Sequence, residues 1–142
     1  MFRLSIVLSD GPLEPTAALG HVAHRDSGGV ALFLGTTRAE EHPELGALVH
    51  LEYHAYREMA EKEMRRLAEQ AAAQWPVQAA AIHHRLGVVA VGEASVVIAV
   101  STAHRADAFA ACRYLIDELK KSVPIWKREQ YARSAKWQGE GG

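Results

Sequence analysis

VQAAAIHHRLGVVAVGEASVVIAVS, residues 77–101, is the stretch on which the fold turns. It is built mostly of Val, Ile and Ala and is punctuated near Gly87 and at Gly92-Glu93, so it reads as two or three strands joined by turns. The element order around it is mixed, which favours α+β over a doubly wound sheet.

Outward from that stretch the periodicity changes to that of a helix on both sides. About Ala103 to Lys121 places Phe109, Cys112, Ile116 and Leu119 on an inner face, with Ser101 or Thr102 as the expected N-cap and Pro124 as the stop. Before it, Tyr56 to Trp75 carries a stripe of Tyr56, Met59, Ala60, Met64, Leu67, Ala68, Ala71 and Trp75, and Glu58–Lys62 and Glu61–Arg65 pairs lie on the opposite face. LVHLEYHAY (48–56) alternates as a strand, and AEEHPELG (39–46) reads as a polar, mobile loop. VALFLGTTR (30–38) is a buried strand whose end delivers Thr36, Thr37 and Arg38 to that loop. FRLSIVL (2–8) is the first strand, Pro15 to about His24 a short helix, and Gly28-Gly29 a turn. Residues 1–138 are expected to form a single domain and 139–142 a disordered tail.

Composition narrows the function. The chain has 142 residues, 49% apolar, enough for one core and too few to suggest two. Its 16 Lys and Arg nearly cancel 17 Asp and Glu, so no global field draws it to nucleic acid or an anionic membrane, and any basic site is local. The apolar run near the N-terminus is too short to span a bilayer, and a cytoplasmic protein is expected. The single cysteine, Cys112, is in register with the inner face of its helix and reads as a core thiol.

Local basic chemistry is concentrated in KKSVPIWKRE, residues 120–129, with four cationic side chains around Pro-Ile-Trp. Lys120 and Lys121 in a last helical turn are ordinary complements of the helix dipole. Pro124 then forces the chain into an extended segment, so Lys120 and Lys127 can converge on one pocket with Trp126 in its wall. Mutual repulsion and burial in such a pocket lower a lysine pKa and make the amine usable. His104-Arg105 is a second anomaly: cations in the first turn of a helix oppose the dipole, and an anion held there would resolve the conflict. Arg38, at a strand end before a polar loop, suits a phosphate. The eight histidines show no metal spacing: His83 and His84 face opposite sides of a strand, His21 and His24 lack a carboxylate partner, and neither HExxH nor CxxC occurs. No phosphate-binding glycine loop is present.

FLGTTR (33–38), LEYHAYREMA (51–60), IHHRLGVVAVGEASVVIAVSTAHRADAF (82–109) and LKKSVPIWKRE (119–129) together resemble the large, catalytic subunit family of molybdopterin synthase, in order and spacing, from about Gly29 to Trp137. The resemblance implies an α/β hammerhead fold of α+β class and a sulfurtransferase of molybdenum cofactor biosynthesis. Its substrate would be cyclic pyranopterin monophosphate, precursor Z, converted to the dithiolene of molybdopterin without a metal or other cofactor. The sulfur would come from the C-terminal Gly-Gly thiocarboxylate of a small ubiquitin-like subunit, and a homodimer of large subunits would form the centre of a heterotetramer. Carried over by position, the substrate site is Thr36, Thr37, Arg38, His104, Arg105, Lys120, Lys127, Arg128 and Glu129, with Lys120 and Lys127 catalytic; His104 and Arg105 are open to acting from the other protomer. The chain departs from the family at His54, where Glu is frequent, and at Arg133-Ser134, where Asp-Gly is common. An alternative from the residues alone is a single-stranded nucleic-acid platform in residues 120–137, which hold six basic residues, one acidic residue and three aromatics. A structural subunit without chemistry is the third reading.

Overall fold

In the computed structural model, which describes residues 2–138, the tail 139–142 lies outside the described residues. The central stretch forms three strands, β5 (Val77–Arg85), β6 (Gly87–Ala90) and β7 (Ala94–Thr102), but they do not share one sheet. β5 and β7 pair antiparallel, with β1 (Arg3–Ser9) parallel to β5 and β2 (Gly29–Thr36) antiparallel to β7, giving the order β1-β5-β7-β2. β6 leaves to pair with β4 (Gly46–Ala55) in a second sheet that continues through β8 (Ile125–Tyr131) and β9 (Ala135–Gln138), with β3 (Glu41–His42) on the other flank. Gly87 and Gly92, at φ +83° and +88°, make the two sharp changes of direction, a conformation that side chains with a Cβ rarely adopt.

Residue size explains the layering. On one face of the first sheet, Ala79, Ala81, Val97 and Ala99 form a shallow floor, and Ala18 and Val22 of α1 (Pro15–Val22) settle on it. On the other, Ala80, Ile82, Val96, Ile98 and Val100 pack against the stripes of α2 (Arg57–Gln74) and α3 (Arg105–Ser122), with Met64, Leu67 and Leu115 fully buried between them. Strand alternation thus gives each face its own helical cover.

Several expectations are corrected by this packing. The N-cap of α3 is His104; Thr102 ends β7 and donates its hydroxyl to the His104 carbonyl at 2.6 Å. Phe109 is 67% exposed, while Ala108, Ala111 and Leu115 turn inward beside Cys112, Ile116 and Leu119. The loop at 39–46 contains the short β3–β4 hairpin. The pair that closes on α2 is Arg66–Glu63, at 2.5 Å. His24 lies beyond the end of α1, where its Nδ1 accepts the Asp26 N–H. Cys112 is buried against the Ile98 carbonyl, and burial pushes its thiol up to about 11, consistent with a core thiol.

Candidate active site

The second sheet places its side chains by alternation across β4 and β8. Tyr53 pairs with Lys127 and Leu51 with Glu129, so these four point to one side; Glu52 with Arg128 and His54 with Trp126 point to the other. The first side faces the end of β2, where the register slips between Gly35 and Thr36. Between them lies a cleft of about 630 Å³, bounded by Thr36, Thr37 and Arg38 at the end of β2, Lys120 in the last turn of α3, and Lys127 and Glu129 of β8. Val123 caps α3 and Pro124 redirects the chain, which brings the two lysines to the same opening.

Within the cleft, Thr37 is held from both sides: its N–H donates to Glu93 O at 3.0 Å and its carbonyl accepts the Gly92 N–H at 2.8 Å. Its buried Oγ1 has no hydrogen-bond partner among the described residues, which leaves that hydroxyl available to whatever fills the cleft. Arg38 is exposed and reaches Glu40 at 3.3 Å. Lys127 is half-buried, and burial holds its ammonium below the usual lysine range; Glu129 opposes that shift and Lys120 adds to it. Glu129 is itself buried beside Tyr131.

Behind the cleft is a smaller pocket of about 50 Å³ that shares Tyr53, Ser95, Lys120 and Lys127 with it and adds His84 and Trp126. His84 is only 5% exposed; its Nδ1–H donates to the Arg85 carbonyl at 2.8 Å, and its ring stands edge-on to Tyr53 with centroids 5.0 Å apart. Burial lowers its pKa to about 4; the Arg85 carbonyl opposes the shift and the Lys120 charge reinforces it. His83, on the opposite face, bonds Ser5 Oγ through Nε2 at 2.9 Å. The adjacent histidines therefore do face apart, and His84, with Tyr53 and Ser95, is the part of the site that motif reading missed. Alternation from Tyr53 and Lys127 was the available signal.

The buried histidine makes stability depend on pH in a definite direction. The folded chain holds His84 neutral while the unfolded chain titrates near 6.5, so the unfolded state binds more protons below that pH. Its contribution is complete above about pH 6.5 and declines as pH falls towards 4, a loss of about 2 kcal/mol by pH 5. His83, whose pKa burial also lowers, acts in the same sense. Urea unfolding at pH 7 and pH 5 checks this; His84→Asn should flatten the dependence, and an unchanged slope in that variant would assign the acid sensitivity elsewhere.

Three of the expected site residues lie away from the cleft. His104 and Arg105 are exposed at the N-terminal end of α3, fifteen residues before Lys120, about 22 Å along the helix. Gly29 touches this end: a Cβ there would meet Arg105 Cα at 2.8 Å, so glycine lets β2 run against the start of α3. Arg128 is on the outer face of the second sheet, 3.8 Å from Glu52. His54 shares that face, bonded to Glu52 at 2.8 Å and lying parallel to Trp126. Arg133 and Ser134 form the β8–β9 turn, where Tyr131 N–H donates to the Ser134 carbonyl at 2.8 Å. The basic and aromatic residues of 120–137 are thus divided: Lys127 faces the cleft, Trp126 and Arg128 face outward, and Tyr131 is buried. Trp137, opposite Arg128 in β9, joins Trp126 on the outer face with His54 between them, so this face and the cleft each take part of the segment.

The cleft, floored by a buried carboxylate and walled by two lysines, an arginine and a threonine hydroxyl, has the concave, polar-lined form of an enzyme pocket on an α+β scaffold. The profile of the MoaE protein family matches residues 8–122, and the chain belongs to that family. It is 51% identical over 121 residues to molybdopterin synthase catalytic subunit 2 of Aedes aegypti, covering 84% of this chain and 74% of that protein. The crystal structure of molybdopterin synthase from Staphylococcus aureus superposes with a TM-score of 0.88 at 33% identity, covering 99% of both chains. A complex of subunits 1 and 2 of molybdopterin-converting factor from Helicobacter pylori shares the fold at a TM-score of 0.77 and 19% identity, over 93% of this chain and 88% of that one. Among the described residues, no helix is long and apolar enough to cross a membrane.

Proposed function

We propose that this chain is the catalytic subunit of a molybdopterin synthase, a sulfurtransferase that installs the dithiolene sulfurs of molybdopterin on precursor Z. The observation that carries the reading is the convergence of Lys120 and Lys127 with Thr37 and Arg38 in one cleft. Arg38 and the Thr37 hydroxyl hold the substrate's phosphate and polar edge by charge-assisted and neutral hydrogen bonds. The two lysines sit at the reacting carbons, where they stabilise developing negative charge and handle protons, and the Glu129 carboxylate opposes the lowering of the Lys127 pKa by burial. Sulfur arrives as the C-terminal thiocarboxylate of a small ubiquitin-like subunit whose Gly-Gly tail is slim enough to enter the cleft.

The working assembly is a homodimer with a small subunit at each end. His104 and Arg105 cannot reach the cleft of their own chain, and a second copy is the source of that pair. β2 is an edge strand with Val30, Leu32, Phe33 and Leu34 exposed, and Phe109 stands beside it on α3, an apolar face that adjoins the cleft through Phe33 and Leu34. Arg128, turned away and engaged by Glu52, holds the outer face of the sheet, so Arg128→Ala affects stability before substrate affinity.

Incubation of the purified chain with precursor Z and a thiocarboxylated small subunit is expected to form dithiolene product. No product from a folded chain, with a small subunit and substrate that an authentic synthase converts, would overturn the reading.

A further inference from the structure

We propose that the inner pocket of about 50 Å³ seats the water that ends each sulfur transfer, and that His84 is the catalytic residue orienting it. This rests on the sulfurtransferase reading above. Transfer of sulfur from a thiocarboxylate to carbon leaves the donor's acyl group attached to the transferred sulfur. Release needs an oxygen from water: the O–C bond forms, the C–S bond breaks, and its electron pair stays on sulfur. The products are a tail carboxylate and a substrate thiol; one water proton passes to the sulfur and the other leaves when the carboxylic acid ionises.

The pocket meets the requirements of a water site. Its volume exceeds the roughly 10–15 Å³ of accessible space that a water needs, and its lining supplies the two to four polar partners. The Lys120 and Lys127 ammonium groups can only donate hydrogen bonds to it; Ser95 Oγ donates to the Gly35 carbonyl at 3.4 Å and is bonded to Tyr53, so both hydroxyls are already partly engaged. His84 is different. Its Nδ1–H is committed to the Arg85 carbonyl, which is an acceptor only, so the neutral ring carries its lone pair on Nε2. Lysine donors on one side and an imidazole acceptor on the other fix which way the water's oxygen and hydrogens point. The Tyr53 ring, edge-on at 5.0 Å, keeps the imidazole from turning. Nε2 accepts the water's hydrogen bond and relays its proton to the departing sulfur. The pocket opens to the cleft through residues common to both, so the oriented water lies against the reacting centre rather than in an isolated void.

The test is a single turnover with precursor Z and thiocarboxylated small subunit, quenched at intervals and read as the intact mass of the small subunit. Wild type should return it as the carboxylate. His84→Asn keeps an N–H for the Arg85 carbonyl but places no acceptor where Nε2 stood; it should accumulate small subunit carrying the substrate on its acyl carbon, with decay slowed on the order of 10²-fold. His84→Gln, which restores an acceptor oxygen farther along the side chain, should accumulate less. Slow turnover of His84→Asn without the adduct means a structural role and overturns the proposal, as does wild-type behaviour. Should His84→Asn not fold, Tyr53→Phe, which keeps the ring against the imidazole but strips a hydroxyl partner from the same water, must show the adduct or the proposal falls. Failure of the wild type itself to turn over strikes the sulfurtransferase reading instead.

Discussion

Lys120→Ala should reduce dithiolene formation on the order of 10³-fold or more, with the chain folded and its assembly intact. The last turn of α3 is rigid, with Leu119 buried in the core beside it, so the amine is delivered to the cleft on a fixed support. Lys120→Arg should not rescue turnover: a guanidinium keeps its proton at any working pH, and its planar head does not fit where a compact ammonium sat. Lys127 offers an informative contrast. If it serves as fixed positive charge, Lys127→Arg retains partial turnover. A complete loss would move the proton-handling role to Lys127, whose pKa burial already lowers. Lys121 is the internal control, exposed and paired with Glu118 at 3.1 Å on the helix surface, and Lys121→Ala should turn over like wild type. Turnover of Lys120→Ala within a few-fold of wild type, or an equal loss in Lys121→Ala, would reduce the lysines to general electrostatics.

Much of this geometry is legible in residue spacing, and the exceptions share a cause. The helices at 57–74 and 105–122 fall within two residues of their apolar stripes, because burial of one face is a local, periodic requirement. That the stretch 77–102 contributes strands to two different sheets is not local: β6 pairs with β4, more than thirty residues earlier, and only the positive-φ glycines hint at the change. Arg128 is carried into the site by its position in the family resemblance, yet as the strand neighbour of Lys127 it lies on the opposite face, beside Glu52. The same rule applied to His83-His84 yields one histidine for each face, but which face carries the chemistry depends on Lys120 arriving from α3. Phe109 is exposed although it keeps the helical register, because the inward arc of α3 is narrower than its apolar stripe.

The largest consequence of that exposed stripe is that inactive chains should complement one another. Lys120→Ala removes a group from the cleft, and Arg105→Ala removes one from the far end of α3; as separate homodimers both should lose turnover. Co-folding the two variants in equal amounts gives mixed dimers in which one cleft has its own Lys120 and receives Arg105 from the partner, while the other lacks both. Random pairing should restore about one quarter of wild-type turnover, since half of the dimers are mixed and each has one complete site. A site built within one chain predicts no recovery, because every chain in the mixture carries one of the two lesions. The distance along α3 makes the first outcome the expected one: no side chain spans the ~22 Å between residues 105 and 120. Phe109→Glu in both variants should abolish the recovery by charging the face on which the copies meet, with loss of the dimer visible by light scattering. Recovery that survives in a monomeric Phe109→Glu mixture would remove β2 and α3 as the shared surface, and no recovery in a verified mixed dimer would take His104 and Arg105 out of the site.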